Sequence, residues 1–214
     1  MQTNTTYLKS SEGVASEPAS LVFVVDEDPC VRESLERLVS EEGWQVETFA
    51  SAADFLSRPS ATLPCCLVLD VALPGLGGLE LQQQLSGRTA LPIVFITRDR
   101  DVPTSVQAMK AGAFDFLTKP LDHDVVLTTL RYALEKSRLV LLHEAEMQPL
   151  RTRYASLTRR EREVMALVVS GLLNKQAAGE LGISEITVKV HRGQVMRKMM
   201  ADSLPALVRM AARL

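Results

Sequence analysis

The chain carries only three cysteines, Cys30, Cys65 and Cys66. They are too few and too unevenly spaced for a disulfide framework. No Cys/His group has zinc-ligand spacing, which removes a structural zinc site. Cys65 and Cys66 open an apolar run and are expected to be buried thiols, with nothing beside them to support a redox role. Long hydrophobic runs are missing too: no stretch approaches the roughly 20 apolar residues that span a bilayer. The segment MQTNTTYLKSSEGVASEPAS lacks an apolar signal core and reads as a polar disordered tail over residues 1–19. These absences favour a cytoplasmic chain away from the membrane. Internal repeats and low-complexity tracts are lacking as well. The glycines of PGLGGLEL are not followed by the Lys-Ser/Thr of a P-loop, so they are read as a tight turn into a helix.

What is there is enough for two cores. A length of 214 residues with 46% hydrophobic composition suits a globular chain of two domains. The net charge of -2 conceals an asymmetry: from Leu150 onward there are 12 basic and 5 acidic residues, net +7, against 12 and 21 before it, net -9. An acidic part joined to a basic part points to a nucleic-acid partner for the latter.

From Leu21 short apolar runs alternate with helical segments. LVFVV ends at Asp26-Glu27-Asp28, and Pro29 opens a helix to about Glu42. Trp44 to Phe49 is a second strand, followed by a short helix over Ala52 to Leu56. CCLVL ends at Asp70 and leads through a Pro-Gly turn to a helix from Leu79 to Leu85. IVFI ends at Thr97, with a helix from Pro103 to Ala111; FDFL leads to Lys119-Pro120, and a last helix starts near Asp122. Five nearly uninterrupted apolar strands alternating with helices imply a parallel sheet covered on both faces. The last helix is expected to run to a break at Pro149, its end serving either as an interdomain linker or as a helical dimerisation surface.

A second domain starts near Leu157. Thr158 and Glu161 have capping-box spacing, and Gly171 suits the end of the helix they open. Asn174 is the expected cap of a short helix stopping at Gly182, Ser184 of a third reaching Met200, and Ser203 of a fourth from Leu204. Ala178, Gly182 and Val188 have helix-turn-helix spacing: a small residue for close contact, a glycine for the turn, an apolar lock on the second helix.

Asp26, Glu27 and Asp70 fall at the C-terminal ends of strands, the edge where parallel sheets place ligands. Carboxylates converging there repel one another, and a hard divalent cation relieves the repulsion. Thr97 and Lys119 follow strands four and five at the same edge. LVFVVDEDP, CLVLDVALPGLGGLEL, IVFIT and AGAFDFLTKP, in that order, resemble the four signature blocks of response-regulator receiver domains over residues 21–140. The resemblance implies an (βα)5 flavodoxin-like fold of strand order 2-1-3-4-5 with Asp70 as phosphoacceptor. It implies Mg2+ (or Mn2+) held by Asp26, Glu27, Asp70 and the backbone carbonyl of Ala72, with Thr97 and Lys119 touching the phosphoryl group. Phe116 becomes the aromatic switch, and the Lys119-Pro120 bond is expected cis. Three departures stand out: Glu27 where Asp is usual, Arg98 where a small residue is usual, and Leu121 where Phe is common. Arg98 either shields the phosphate or lies in solvent; Leu121 is read as packing.

LTRREREVMALVVSGLLNKQAAGELGISEITVKVHRGQVMRKM resembles the LuxR-type all-α four-helix domain of the NarL/FixJ family, nearest its FixJ branch. The domains implied are a receiver over 20–138, a helical linker over 139–153 and a DNA-binding domain over 154–214. The third helix would enter the major groove. Lys189, Val190 and Gly193 match base-facing positions, with Val190 suited to a thymine methyl and Lys189 to guanine acceptors. Lys175, Thr187, Arg192, Arg197 and Lys198 are candidates for phosphate contacts. His191 is read as orienting or packing. Gly193 costs helix stability and removes a side chain, and Ala177, where Ile is usual, suggests an underpacked small core.

The function so implied is a two-component transcriptional regulator, phosphorylated on Asp70 by a sensor histidine kinase. Its further partners are double-stranded promoter DNA, RNA polymerase and a second copy of itself on phosphorylation. It is not a turnover enzyme. Two alternatives stay open. One is a receiver impaired by Glu27, with phosphorylation-independent DNA binding. The other is a haloacid-dehalogenase-type phosphatase, whose Asp-x-Asp signature Asp26-Glu27-Asp28 resembles, although Cys30 stands where Thr is expected.

Overall fold

In the computed structural model, residues 19–59, 61–98 and 102–214 are described; the expected tail over 1–19 therefore lies outside them but for Ala19. The chain divides into two compact units between Arg138 and Leu139. The first holds β1 (Leu21–Val25), α1 (Pro29–Glu41), β2 (Gln45–Phe49), α2 (Ala52–Ser57), β3 (Cys65–Asp70), α3 (Gly78–Gln84), β4 (Ile93–Thr97), α4 (Val102–Lys110), β5 (Asp115–Thr118) and the first part of α5 (His123–Ala155). The strands form one parallel sheet in the order β2-β1-β3-β4-β5, as expected.

Because side chains alternate along a strand, each apolar run feeds two cores. Phe23, Val25, Leu67, Leu69 and Phe95 pack with Phe55, Leu81 and Ala108 from α2, α3 and α4. Val22, Val24, Cys66, Val68, Val94 and Ile96 pack with Leu35 and Val39 of α1 and Val126, Leu130 and Leu134 of α5. Cys65 and Cys66 are buried thiols, and burial pushes the Cys66 thiol far above its ordinary range. Pro29 opens α1 at a position whose N–H needs no partner, behind the Asp28 cap.

The second unit contains the end of α5 with α6 (Arg159–Val169), α7 (Asn174–Leu181), α8 (Glu185–Met199) and α9 (Leu204–Ala211). Two expectations change here. The helix does not break at Pro149 but continues to Ala155. A proline in a helix interior costs about 3 kcal/mol. Met147 and Leu150 on either side of it are buried with Leu157, Met165, Val195, Met199 and Leu207, and each such burial is worth roughly 1.5–3 kcal/mol. Packing thus outweighs the lost hydrogen bond, and this part of residues 139–153 is core of the second unit and not a linker. The second change is at α7, where Leu173 and not Asn174 is the N-cap: the Leu173 N–H donates to Gln176 Oε1 at 2.8 Å, which leaves the Asn174 side chain free to bond elsewhere. The Thr158–Glu161 capping box of α6 and the Ser184 and Ser203 caps form as expected.

No described helix is long and apolar enough to cross a membrane.

Candidate functional site

Parallel strands deliver their C-terminal ends to one edge. Asp26, the residue after β1, is fully buried, and Asp70, the last of β3, is 6% exposed. Lys119 follows β5, its side chain 9% exposed, and Lys119 Nζ donates to Asp26 Oδ2 at 2.6 Å and to Asp70 Oδ2 at 2.7 Å. Backbone groups complete both carboxylates: Asp28 N–H donates to Asp26 Oδ1 at 2.9 Å, and Ala72 N–H to Asp70 Oδ1 at 3.1 Å. Burial alone would lower the Lys119 pKa. Its hydrogen bonds to Asp26 and Asp70, with their charges, outweigh burial and raise it, so Lys119 is an ammonium throughout the neutral range.

Thr97 ends β4 and is buried, and its carbonyl accepts from Lys119 N–H at 2.7 Å. Phe116 in β5 is half-buried, its ring 6.2 Å from that of Phe95. The Lys119-Pro120 peptide is cis, as expected.

One part of the expected cluster does not assemble. Glu27 is exposed, and among the described residues no three His, Cys, Asp or Glu side chains are grouped as metal ligands. Two buried carboxylates need a countercharge, and the Lys119 ammonium supplies it directly. The set still suits a hard cation: two carboxylates against one ammonium leave negative charge in excess, with oxygen donors at Asp26 and Asp70 and the Glu27 carboxylate next to Asp26 in the chain.

Several neighbours escaped sequence reasoning. Arg32 Nη1 donates to the carbonyls of Asp26 at 2.7 Å and Glu27 at 2.9 Å, fixing the turn that carries both acids. An arginine on the first turns of a helix after an acidic strand end is a weak signal. Arg98 lies in solvent, its side chain 70% exposed, and Arg98 Nη2 pairs with Asp28 Oδ2 at 2.6 Å, tying the segment after β4 to the one after β1. Asp28 also caps α1 through Cys30 N–H. That side chain therefore serves a helix cap and an ion pair at once. Gly78 begins α3, after the turn that its sequence announces. The reason for glycine is close approach: a Cβ there would lie 2.4 Å from the Asp70 carbonyl oxygen.

In the second unit Ala178 and Val188 are buried and Gly182 is left-handed at φ 64°, so α7 and α8 form the expected helix-turn-helix. Val188, Val195 and Met199 face inward, while Lys189, Val190, Gly193 and Arg197 are exposed on α8, and Lys175 is exposed on α7. Thr187 and His191 are half-buried; the Thr187 hydroxyl hydrogen-bonds with Ser184 Oγ at 2.8 Å. Arg192 Nη1 donates to Asn174 Oδ1 at 3.1 Å, linking α8 to α7. Ala177 is fully buried with Val164, Val168 and Val188.

Lys198 makes contacts within the unit that its residue type alone did not announce. Its ammonium donates to Glu161 Oε2 at 2.6 Å and to the Ser156 carbonyl at 3.2 Å. It thereby ties α8 to the buried carboxylate at the start of α6. The hydrogen bond from Lys198, then those of Thr158, hold the Glu161 carboxyl below the usual glutamate range despite burial. A depressed carboxylate stabilises the fold above its unfolded pKa and ceases to do so as pH falls through the folded value. The second unit is therefore expected to lose helix as pH drops below about 4.5. Glu161→Gln should flatten that acid limb while costing about 1–2 kcal/mol at neutral pH. Circular dichroism over an acid titration of both proteins checks this; identical acid limbs reject it.

Comparison with known proteins agrees with this geometry. Residues 22–131 match the response regulator receiver domain, and residues 155–211 match the bacterial regulatory proteins of the luxR family. The response regulator protein TodT of Pseudomonas putida is 42% identical over 200 residues, covering 93% of this chain and 88% of that one. Nodulation protein W of Bradyrhizobium diazoefficiens is 44% identical over 196 residues, covering 91% and 86%. Among solved structures, the response regulator StyR superposes with a TM-score of 0.76 at 43% identity, covering 92% of this chain and all of that one. Full-length FixJ from B. japonicum does so at 0.53 and 39%, covering 90% and 96%. The chain belongs to the two-component response regulators, with a receiver domain followed by a LuxR-type DNA-binding domain.

Proposed function

We propose that Asp70 accepts a phosphoryl group from a sensor histidine kinase, and that the modified receiver dimerises and thereby promotes DNA binding by the second unit. The observation that carries this reading is the Lys119 ammonium held between two buried carboxylates at the C-terminal edge of the sheet. An Asp70 oxygen attacks phosphorus in line, the phosphorus–nitrogen bond of the donor's phosphohistidine breaks with its electron pair going to the imidazole, and an acyl phosphate results. Lys119 then exchanges an Asp70 carboxylate partner for a phosphoryl oxygen. Mg2+ or Mn2+ at Asp26, Glu27, Asp70 and the Ala72 carbonyl supplies further neutralisation when bound.

The added charge, about -1.5 to -2, arrives beside Thr97. The Thr97 hydroxyl turning toward it, with Phe116 moving inward, would bias a two-state equilibrium toward the dimer-forming surface. In the second unit, Lys189, Val190 and Gly193 face base edges, and Lys175, Thr187, Arg192 and Arg197 contact phosphates. The protein acts in the cytoplasm, where paired half-sites on promoter DNA and RNA polymerase are its further partners.

The exposure of Glu27 favours one competing reading, a receiver that takes up phosphate poorly and binds DNA without it. Treating the full chain with acetyl phosphate and Mg2+ separates the two. One alkali-labile phosphoryl group per chain by intact mass, and a monomer-to-dimer shift by sedimentation, are expected. An unlabelled chain that binds DNA equally well supports the competing reading.

A further inference from the structure

The second helix of the helix-turn-helix carries an apolar stripe that packing does not use. Ile186 is 74% exposed and Val190 57% exposed, four residues apart on the same side of α8. Gly193, one turn further, has open space where a Cβ would stand. Isoleucine and valine are β-branched and are weaker helix formers than leucine or lysine, so at exposed helical positions they carry a small cost with no burial in return. Cations border this face: Lys189, paired with Glu185 at 3.0 Å, lies between the two apolar residues in the chain, and Arg197 lies one turn beyond Gly193.

Two exposed side chains are far too small for a stable protein interface, which needs about 800 Å² on each partner. A narrow apolar stripe flanked by cations, on a segment with net charge +7, fits a surface that is polyanionic at its edges and apolar at points along its floor. The major groove of duplex DNA is such a surface, and its apolar points are the C5 methyls of thymine. Ile186 sits in the first turn of α8, the part of a recognition helix that reaches base edges. Four residues of helix rise about 6 Å, which places its contact within about two base steps of that made by Val190.

We infer that Ile186 is a specificity-determining residue that, together with Val190, reads thymine methyls, so that each half-site carries two thymines within about two base steps of each other. This rests on the DNA-binding reading of the second unit.

The test takes the full chain, with and without acetyl phosphate, through selection from a random duplex pool. The selected site is then resynthesised with deoxyuridine, which lacks the C5 methyl, in place of each thymine in turn. Wild type is expected to lose affinity about fourfold at each of two positions, the value of one buried methyl-sized group. Ile186→Ser should lose a similar factor on the intact site and become insensitive to deoxyuridine at one of them, and Val190→Ala at the other. The wild-type series on altered DNA does not depend on how any variant folds, and the exposure of Ile186 predicts an unchanged melt for Ile186→Ser. A selected site indifferent to every deoxyuridine, or an Ile186→Ser protein that responds as wild type does, overturns the inference alone. A pool that yields no enriched duplex overturns the DNA-binding reading with it.

Discussion

Lys119→Met is expected to reduce phosphoryl uptake from acetyl phosphate by a hundredfold or more and to destabilise the receiver by about 3–5 kcal/mol. Methionine keeps much of the lysine stem's bulk but leaves Asp26 and Asp70, both buried, facing each other without the ammonium that bonds to each at 2.6 and 2.7 Å. Removing one partner of a buried ion pair costs far more than the pair contributes net, because the remaining charge is uncompensated. Loss of one preorganised electrostatic contact to a reacting group costs roughly 10²–10³ in rate. Asp70→Asn provides the contrast: it abolishes labelling altogether but keeps a hydrogen-bonding group for Lys119 and removes a negative charge, so its stability should stay closer to wild type. A divalent cation should raise the melting temperature of Lys119→Met more than that of wild type, since it replaces the missing positive charge. Thermal melts with and without Mg2+, run beside the labelling assay, report all of this. A Lys119→Met protein that labels at the wild-type rate removes the phosphoryl-contact role.

Much of the receiver could be read from the sequence because its determinants are local. Uninterrupted strands such as CCLVLD, an acid or a lysine at each strand end, and Pro29 behind an Asp cap each declare themselves within a few residues. Asp26, Asp70, Thr97 and Lys119 were legible for that reason: parallel strands must bring their C-terminal ends to one edge. What stayed hidden depends on contacts between residues far apart along the chain. Lys198 is one of several basic residues on α8, and nothing local announces its bond to Glu161, 37 positions earlier. Arg98 and Asp28 are 70 positions apart. Pro149 carried a strong local stop signal that distant apolar partners overrode. Asn174 was a reasonable cap by residue type, but Gln176 reached back to Leu173 first and Arg192 took up the Asn174 side chain. Glu27 shows the same limit from the other side. Adjacency to Asp26 suggested a shared ligand set, whereas only Asp26 is buried against Lys119.

Gly78→Ala tests how tightly Asp70, the proposed phosphoacceptor, is held from behind. A Cβ at Gly78 would lie 2.4 Å from the Asp70 carbonyl oxygen and 3.1 Å from Val71 Cα. Both are backbone atoms, so no side chain can rotate away to make room. Gly78 N–H also donates to the Val71 carbonyl at 3.1 Å, which anchors the start of α3 against the end of β3. The added methyl must therefore either lift α3 or shift the backbone that carries Asp70. Overpacking of this kind costs about 1–3 kcal/mol, and a displacement approaching 1 Å at a reacting group can cost about 10²-fold in rate. Gly77→Ala is the matched control: its nearest neighbour would be Glu80 Oε2 at 4.0 Å, its φ of -65° suits any residue, and only a modest N-cap penalty is expected. Denaturant unfolding and acetyl phosphate labelling of the two variants should diverge sharply, with Gly78→Ala impaired in both and Gly77→Ala close to wild type. Equal behaviour of the two would mean that the segment joining β3 to α3 yields freely, and that the position of Asp70 is set by Lys119 and the sheet alone.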